Sequence, residues 1–512
     1  MAVVVSHLAK SFDSLARQAL RQAPLADVVE LRLERCGNPG LEPLAQFVRA
    51  LGKPVIVAVH GAEGFGDFRG DVDERCDILR TAARAGAMFV DIDASHSLAL
   101  GALEGTKCHR IVSRHAHDGT PEDLAAFEDS VRAVMYEGDL IKLVAHARST
   151  EDGLRMLRHL RGARGGLIAF CSGERGSFTR VLCRIFGSAF TYAAPARIPG
   201  EPEPEASAPG QLRVNDLRSL FPPGGISPET AIFGVVGERV RHSLSPRVHD
   251  MALKSARLDA VFLAFETDDW QRFLALADDV QFRGFAVTAP FKEAAARSAT
   301  AGDELVRATL AANTLVRDAR GWRAFNTDVH GVRETLERAY KFHREKSGAA
   351  QLATGAPLGS AHALILGAGG AARAVVQAVK LGGGRATLAA RDERKAQSVA
   401  RELGARAVAW DAIASTAHDI LVHATPVGSL GDEQRSPIPD EWLRPGSLVL
   451  DAVYRPLKTK LLTAALARGC TAVPGAEWFV RQAQAQFRLF TQHNADEQMM
   501  RAALEHALGG GR

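Results

Sequence analysis

The chain of 512 residues is poor in several features, and each shortage argues against a class of protein. Its six cysteines form no CxxC pair and have no metal-ligand spacing, which argues against a disulfide framework and a zinc site. The net charge is only +4, and no block of lysine and arginine could follow a phosphate backbone. The chain has neither an apolar run that could cross a bilayer nor the layout of a signal peptide at its start. We therefore expect a cytoplasmic enzyme with reduced cysteines that acts on small anionic molecules, without metal, nucleic acid or membrane.

Length and composition describe a globular protein of several domains. Hydrophobic residues make up 46% of the chain and charged residues 24%, which are ordinary values for a soluble protein. The chain is too long for one ordinary core, and usual domain sizes predict about three units.

Eight short β-branched runs recur in residues 1–194, and each interval between them leaves room for a helix. The runs are AVVV (2–5), VVELRL (28–33), PVIVAVH (54–60), MFVDID (88–93), HRIVS (109–113), DLIKLVA (139–145), GLIAF (166–170) and AFTYAA (189–194). This alternation predicts an α/β fold of the (β/α)8 TIM-barrel type, with the active site at the carboxyl ends of the strands. An open α/β sheet is the alternative.

Composition also suggests where the domains divide. Residues 195–230 are rich in proline, glutamate, serine and glycine, which is typical of a loop and linker. Strand and helix alternation resumes at 231–237, and a stretch containing glycine, alanine and serine at 346–361 interrupts it. We expect a barrel over residues 1–220, a substrate domain over 225–340, a Rossmann domain over 360–470, and a helix at about 475–505 that packs back on the substrate domain.

A nucleotide-binding loop is predicted where the strand HALIL leads into GAGGAAR at 367–373. Glycines at this spacing let the backbone approach a pyrophosphate at a helix N-terminus. The next strand ends without the acidic residue that binds a ribose 2'-hydroxyl, and Arg391 and Arg394 follow it. Their charges suit a 2'-phosphate and favour NADP over NAD, whereas Asp392 between them opposes this. A tight turn without a ligand is the alternative.

Three motifs before this loop carry the groups needed to reduce a polyhydroxylated ring ketone. They are HSLSP (242–246), TAPFK (288–292) and NTD (326–328), which supply hydroxyls, Lys292 and Asp328. A hydride leaves a developing alkoxide, and an ammonium oriented by a carboxylate provides the proton and the positive charge that it needs. A surface ion pair is the alternative reading of this lysine and aspartate.

With AANT (311–314), ATPVG (424–428) and DAVYRPLKT (451–459), these motifs follow the order found in shikimate dehydrogenases, and this half of the chain resembles that family. The resemblance implies reduction of 3-dehydroshikimate to shikimate by NADPH, with Lys292 and Asp328 as the catalytic pair. The substrate-binding residues that it implies are Ser243, Ser245, Thr288, Asn313, Tyr454 and Gln482. The cofactor-binding residues that it implies are Gly367, Ala368, Gly369, Gly370, Ala371, Arg391, Arg394, Thr425, Val453 and Gly475.

Two further observations concern the substrate and the cofactor geometry. The family also includes quinate dehydrogenases, but the two serines of HSLSP and Thr288 are of the shikimate type and favour shikimate. Trp478 stands where the family more often has methionine near the nicotinamide.

The barrel contains a second set of reactive residues. Lys142 lies in the apolar strand DLIKLVA, where desolvation favours the neutral amine and makes it a nucleophile toward a ketone. A lysine whose amine reaches back to solvent is the alternative. His115 closes the preceding strand, at the same end of the barrel. Glu30 and Arg32 share one face of their strand because they are two residues apart.

Residues 1–211 resemble type I 3-dehydroquinate dehydratases through ELRLE (30–34), SRHAHDGTP (113–121), the Lys142 strand, GERGSFTR (173–180) and SAPGQ (207–211). The resemblance implies that Lys142 forms the Schiff base and that His115 is the general acid and base. The substrate-binding residues are then Glu30, Arg32, His60, Arg180, Ser207 and Gln211.

The loop after the third barrel strand departs from this family. The family usually has arginine there and glutamate four positions later, whereas this chain has His60 and Gly64, with Glu63 one residue early. A lost arginine weakens substrate anchoring, and a lost glutamate changes the environment of His115.

The two activities are consecutive, so the sequence predicts a bifunctional enzyme with a TIM barrel, an α/β substrate domain and a Rossmann NADP-binding domain. A monofunctional dehydrogenase with a degenerate barrel and a catabolic quinate/shikimate dehydrogenase are the alternatives.

Overall fold

A computed structural model describes residues 2–163, 165–348, 356–359 and 361–509. They form two compact units. The first runs to Thr230 and includes Gln271–Gln281, and the second comprises Ala231–Trp270 and the chain from Phe282 onward. Half of the predicted separating stretch at 346–361 lies outside the described residues, including position 360, the expected start of the Rossmann domain.

The first unit is built on eight parallel strands. They are β1 (Ala2–Leu8), β2 (Val28–Arg32), β3 (Val55–Ala58), β4 (Phe89–Asp93), β5 (His109–Ala116), β6 (Leu140–His146), β7 (Leu167–Ser172) and β8 (Phe190–Ala193). The strand order is β7-β6-β5-β4-β3-β2-β1-β8. A backbone hydrogen bond from Ala189 N to Leu167 O (3.2 Å) brings the two ends of the sheet together. The eight strands therefore form a nearly closed barrel, and the predicted fold class is confirmed.

Helices follow the barrel strands. They are α1 (Phe12–Gln22), α2 (Leu41–Leu51), α3 (Val72–Arg84), α4 (Ser97–Leu100), α5 (Leu124–Arg132), α6 (Thr150–Arg161), α7 (Thr179–Leu182) and α8 (Val214–Ser219). Local sequence sets where several of them begin. Asp71 and Asp123 accept hydrogen bonds from the first turns of α3 and α5, and Ser149 forms a capping box with Asp152 at the start of α6. These caps satisfy amide groups that would otherwise lack partners.

The second unit begins with a mixed sheet. Its strands are β9 (Ala231–Gly237), β10 (Ala260–Glu266), β11 (Gly284–Val287), β12 (Ala301–Gly302), β13 (Thr314–Asp318) and β14 (Gly321–Phe325), in the order β10-β9-β11-β13-β14-β12. The helices of the second unit along this segment are α9 (Ser245–Ser255), α11 (Lys292–Ser298), α12 (Glu304–Thr309) and α13 (Thr327–Lys346), whereas α10 (Trp270–Asp279) belongs to the first unit from Gln271 onward.

A parallel sheet follows in the same unit. Its strands are β15 (His362–Leu366), β16 (Arg385–Ala389), β17 (Arg406–Ala407), β18 (Ile420–His423), β19 (Leu448–Asp451) and β20 (Thr471–Val473). The order β17-β16-β15-β18-β19-β20 reverses direction at β15, as in doubly wound nucleotide-binding folds. The remaining helices are α14 (Gly370–Leu381), α15 (Glu393–Leu403), α16 (Lys460–Ala467), α17 (Gly475–Thr491) and α18 (Glu497–Gly509).

Helix α17 joins the cores of the second unit. Phe487 and Val480 are buried with residues of the mixed sheet, whereas Trp478 is buried with residues of the parallel sheet. A Cβ atom on Gly331 would lie 2.9 Å from Gln482 N and 3.0 Å from Trp478 Cδ1, so only glycine lets α13 pass α17 this closely. This crossing brings the start of α13 next to the start of α17.

The cysteines carry no crosslink. All six, Cys36, Cys76, Cys108, Cys171, Cys183 and Cys470, are free. In the part of the chain that the structure describes, no three His, Cys, Asp or Glu side chains group as a metal site would require. None of the described helices combines the length and the apolarity that a membrane crossing requires.

The packing of α17 predicts that two phenylalanines contribute very differently to the free energy of unfolding. Phe487 is fully buried, whereas Phe342 on α13 is 61% exposed. We expect Phe487→Ala to lower the free energy of unfolding by about 3–5 kcal/mol because it leaves a cavity. Phe342→Ala is the matched control and should change it by less than about 0.5 kcal/mol. Urea unfolding followed by circular dichroism measures both values, and equal losses would contradict the assigned core.

Candidate active sites

Lys142 lies inside the barrel and does not reach solvent. Its Nζ is 2.6 Å from Asp91 Oδ2, 3.8 Å from Glu30 Oε1 and 4.5 Å from the centre of the Tyr192 ring. The side chain is 7% exposed, so the alternative of a lysine that reaches back to solvent is wrong. The lysine is thus held by a carboxylate in a pocket at the barrel interior.

Asp91 was missed by sequence reasoning, which read MFVDID only as a strand. Burial alone would raise the pKa of this carboxyl group, but the charges of Lys142 and His60 outweigh it and hold the pKa well below its usual value. Asp91 is therefore ionised, and it is the direct partner of the lysine. A carboxylate in the middle of a largely buried strand was the signal that could have revealed it.

A buried arginine lies near the lysine, because Arg180 contacts the backbone of Tyr192 and Lys142 contacts its ring. Arg180 is fully buried; its Nη1 donates to Tyr192 O (3.3 Å), and its Nε and Nη2 have no hydrogen-bond partner among the described residues. Burial lowers the pKa of its guanidinium to about 10. Arg32 is paired with Glu34 at 2.6 Å, and its Nε has no hydrogen-bond partner either. Among the described residues, Arg180 thus keeps two free donors and Arg32 one, which suit a ligand carboxylate.

Ser207 and Gln211 lie together beside Arg32. The Ser207 hydroxyl donates to Gln211 Oε1 at 3.0 Å, and its backbone N–H donates to the same oxygen at 3.1 Å. Arg32 Nη1 lies 3.5 Å from Ser207 O, which places this loop over the barrel. The structure thus brings both predicted residues to the same pocket.

His115 packs against His60 and Phe65 with ring centres 5.4 and 5.8 Å away. Burial, followed by the neighbouring His60 and Lys142, holds the pKa of His115 well below its usual value. The imidazole is therefore neutral and able to accept a proton. The Glu63 carboxylate is instead bound by Arg75 (2.5 Å) and by Gly61 N (3.0 Å), so its charge stabilises the loop after β3.

In the second unit, Lys292 Nζ lies 2.5 Å from Asp328 Oδ2. The two side chains are only 16% and 9% exposed, so the alternative of a surface ion pair is wrong. Lys292 begins α11, and Asp328 lies in the first turn of α13. A Cβ atom on Gly370 would lie 2.8 Å from Lys292 Cδ, so the first residue of α14 packs directly on the lysine stem.

A buried amide network lies next to this pair. Asn313 Nδ2 donates to Thr327 Oγ1 (2.8 Å) and to Gln482 Oε1 (3.3 Å), and Thr327 N donates back to Asn313 Oδ1 (2.8 Å). Thr327 was not predicted, although it is the central residue of NTD. The network holds α13, α17 and β13 together at the site.

The predicted hydroxyl groups lie at the ends of β9, β11 and β19. Ser243 Oγ accepts from Ser245 N at 3.2 Å, where α9 begins. Burial raises the pKa of Tyr454, although a hydrogen bond with Ser243 opposes this. A Cβ atom on Gly237 would lie 2.5 Å from Thr288 Cγ2, so glycine makes room for this threonine.

A cavity of about 600 Å³ lies along the glycine-rich loop. It is lined by Gly367, Ala368, Gly369, Ala390, Arg391, Asp392, Lys395, Trp410, Thr425, Val427, Arg435, Ser436 and Pro437. Gly367 has φ +127°, and nothing lies within 4 Å of a Cβ on Gly369, so the backbone here is open to a ligand. The cations and the open backbone fit a nucleotide with an additional phosphate.

The cations of the cavity differ from the predicted set. Arg391 lines the cavity, but Arg394 does not, and sequence reasoning missed Lys395 and Arg435. The Asp392 carboxylate accepts a hydrogen bond from Lys395 N (3.0 Å) and caps α15, so its negative charge stabilises the N-terminus of that helix. Gly370, Ala371, Val453 and Gly475 are likewise not among the lining residues.

Gly475 and Val453 lie close to Asp451 and do not line the cavity. A Cβ atom on Gly475 would lie 2.6–2.7 Å from the carbonyl oxygens of Asp451, Ala452 and Val453. Val453 N donates to Asp451 Oδ1 (3.0 Å), which also contacts His423 Nδ1 (2.8 Å). His423 Nε2 in turn contacts the Thr425 hydroxyl (2.5 Å), so a buried histidine and aspartate hold one wall of the cavity. Neither was predicted as a site residue.

Comparison with known proteins relates both units to known families. The family model described as type I 3-dehydroquinase matches residues 3–223, and that described as the shikimate dehydrogenase substrate binding domain matches residues 235–315. The shikimate dehydrogenase (NADP(+)) of Syntrophobacter fumaroxidans is 34% identical over 285 residues, 55% of this chain and 94% of that protein. The crystal structure of shikimate 5-dehydrogenase from Thermus thermophilus with NADP(H) and shikimate is 34% identical, covering 54% of this chain and all of that one, with a TM-score of 0.47.

A further relative matches both units. The chloroplastic bifunctional 3-dehydroquinate dehydratase/shikimate dehydrogenase of Arabidopsis thaliana is 31% identical over 499 residues, which cover 94% of this chain and 81% of that protein. The chain therefore belongs to the family of bifunctional 3-dehydroquinate dehydratase/shikimate dehydrogenases.

Proposed function

We propose that the chain is a bifunctional enzyme of the shikimate pathway, with one activity in each unit. A lyase in the barrel dehydrates 3-dehydroquinate to 3-dehydroshikimate, and an NADP-dependent oxidoreductase in the second unit reduces 3-dehydroshikimate to shikimate. The observation that carries the proposal is one buried lysine–carboxylate pair in each unit, Lys142 with Asp91 and Lys292 with Asp328. These steps supply precursors of the aromatic amino acids.

The dehydration proceeds through a Schiff base. Arg180 binds the substrate carboxylate. The Lys142 ammonium passes a proton to neutral His115, and the free amine attacks the ring ketone; His115 then returns the proton as water leaves, which forms the iminium. His115 removes a proton from the carbon next to the iminium and returns a proton to the departing hydroxyl. Hydrolysis of the iminium frees the product and restores the lysine. Ser207 and Gln211 are placed to hold ring hydroxyls.

The reduction requires a proton donor beside the ring ketone. NADPH supplies the hydride. Lys292 donates a proton to the ketone oxygen and stabilises the alkoxide as it forms, while Asp328 orients the ammonium. The proposed substrate-binding residues are Asn313, Gln482, Ser243, Ser245, Thr288 and Tyr454. The contacts of Asn313 with Gln482, and of Ser243 with Ser245 and Tyr454, support this role.

The remaining assignments are proposals of the same kind. Arg391, Lys395 and Arg435 bind the 2'-phosphate of NADP, and Gly367, Ala368 and Gly369 approach its pyrophosphate. We propose a dehydratase domain over residues 1–220, a substrate domain over 225–340 and a cofactor domain over 360–470. A cytoplasmic location remains a prediction from the sequence.

The two lysines test the division of activities. Lys142→Met should reduce dehydration of 3-dehydroquinate to background because no Schiff base forms. Lys292→Met should lower reduction of 3-dehydroshikimate by about 10²–10⁴-fold because the proton donor is lost. Each substitution should leave the other activity within about twofold, because independent sites act additively. Loss of both activities from either change would contradict two separate sites.

A second test concerns cofactor choice. Arg391→Ala should weaken NADPH binding by about 10- to 100-fold, because charged hydrogen bonds to the 2'-phosphate are lost. Binding of NADH should not change. Arg394→Ala is the matched control and should alter neither affinity, because Arg394 does not line the cavity. Fluorescence titration measures all four constants, and an equal effect of the two arginines would disprove the assignment.

A further inference from the structure

Arg373 ends the GAGGAAR motif near the start of α14, and its charge is buried. The side chain is only 6% exposed. Its Nη2 donates to Glu402 Oε2 (2.7 Å) on α15, and its Nη1 donates to the carbonyl oxygen of Thr309 (3.3 Å), the last residue of α12. Its Nε lies 3.5 Å from Glu293 Oε1 on α11. One guanidinium on α14 therefore contacts three other helices of the second unit.

These partners compensate the buried positive charge of Arg373. The hydrogen bond from Arg373 lowers the pKa of Glu402, so this partner is ionised. The Thr309 carbonyl lies at the C-terminal end of α12, where the helix dipole favours a cation. A planar guanidinium holds several acceptors at fixed angles, which an ammonium cannot do. Arg373 thus fixes the positions of α11, α12 and α15 against α14.

The contact with Glu293 lies beside Lys292, the proposed proton donor. Glu293 directly follows Lys292 at the start of α11. Gly370, three residues before Arg373 on α14, packs against the stem of the same lysine. The carbonyl oxygen of Lys292 accepts a hydrogen bond from Ala312 N (2.8 Å), in the segment that follows α12. The backbone and the stem of Lys292 therefore both depend on elements that Arg373 holds together.

The contact with Thr309 lies one hydrogen bond from the start of α13. Asn326 Nδ2 donates to Thr309 Oγ1 at 2.9 Å, and both residues are buried. Asn326 immediately precedes α13, whose second residue is Asp328. Arg373 is thus connected with both members of the lysine–carboxylate pair: with Lys292 through α11, and with Asp328 through the ends of α12 and α13.

We propose that Arg373 is a positioning residue for the reduction, which holds the pair of Lys292 and Asp328 in place against the nucleotide loop at the start of α14. It acts through Lys292, whose ammonium must meet the ketone oxygen while the hydride arrives. Displacement of a reacting group by about 1 Å is enough to lower a rate substantially. The inference rests on the proposed dehydrogenase function of the second unit.

A double-mutant cycle in the full chain tests this role. Arg373→Met removes all three contacts and should lower kcat for reduction of 3-dehydroshikimate by about tenfold, because the proton donor is misplaced. KM for 3-dehydroshikimate and for NADPH should stay within about twofold. Adding Arg373→Met to Lys292→Met should not lower kcat further, because the arginine acts through that lysine. An additive loss in the double variant, or a wild-type kcat in Arg373→Met, would overturn the proposal.

Arg333→Met is the matched control. Arg333 lies on α13 and pairs with Glu337 at 2.7 Å, but its side chain is 41% exposed. Its substitution removes the same charge from the same unit without releasing α11 or α12, so kcat should stay within about twofold of the wild-type value. An equal loss of kcat in Arg333→Met and Arg373→Met would assign the effect to net charge and overturn the proposal.

Glu293→Gln provides the same cycle should Arg373→Met fail to fold, which circular dichroism reveals. Glu293 is 34% exposed, so an amide is tolerated there, and Arg373 keeps its contacts with Thr309 and Glu402. We expect kcat to fall by about threefold, and not to fall further when the change is combined with Lys292→Met. A wild-type kcat in Glu293→Gln would overturn the proposal.

Lys292→Met alone separates this proposal from the function on which it rests. If it lowers reduction while Arg373→Met does not, the role of Arg373 fails and the dehydrogenase stands. If both lower kcat and their effects do not add, both proposals are supported. If the wild-type protein does not oxidise NADPH with 3-dehydroshikimate, or if Lys292→Met reduces it normally, the proposed function of the pair fails, and the role of Arg373 fails with it.

Discussion

An ammonium group buried in a protein needs a carboxylate in contact with it, and this requirement organises both units. In the barrel, β4 and β6 carry Asp91 and Lys142 at positions whose side chains meet in the interior. In the second unit, the first turns of α11 and α13 bring Lys292 to Asp328. Each carboxylate makes burial of its lysine tolerable and fixes the direction of the amine. The surrounding groups then decide the chemistry: neutral His115 and buried Arg180 in one site, and the amide network of Asn313 in the other.

Glycines shape these sites mainly through the space that they leave for neighbouring side chains. Gly64 accommodates the His60 ring, Gly237 accommodates Thr288, and Gly370 accommodates the stem of Lys292. Among the glycines of the nucleotide loop, only Gly367 has a strongly positive φ, so its backbone conformation requires glycine. Gly370 is required for a different reason, because a Cβ atom there would collide with the stem of Lys292. The third glycine of the loop thus brings the start of α14 into contact with Lys292 of the same unit.

Sequence reasoning recovered the strand-borne residues better than the loop and helix residues. Lys142 and His115 could be placed because strand periodicity and barrel topology determine where the side chains of β5 and β6 point. The same rule applies to Asp91, but its run was interpreted only as a strand, so Asp91 was not predicted as a site residue. Arg394 was predicted beside Arg391, yet Asp392 starts α15 and brings Lys395 to the cavity instead. His423 and Asp451 form a buried contact across neighbouring strands, and such a contact has no local signature in the sequence.

The measurement that tests the account most directly follows both reactions in one cuvette. Purified protein is mixed with 3-dehydroquinate without nicotinamide cofactor, and the ultraviolet absorbance of the conjugated enone is recorded before NADPH is added. The account predicts that enone appears first and is consumed, with oxidation of NADPH, after the addition. If no enone appears but NADPH is oxidised when 3-dehydroshikimate is supplied, the account is contradicted, and the protein is an active dehydrogenase whose barrel has no dehydratase activity.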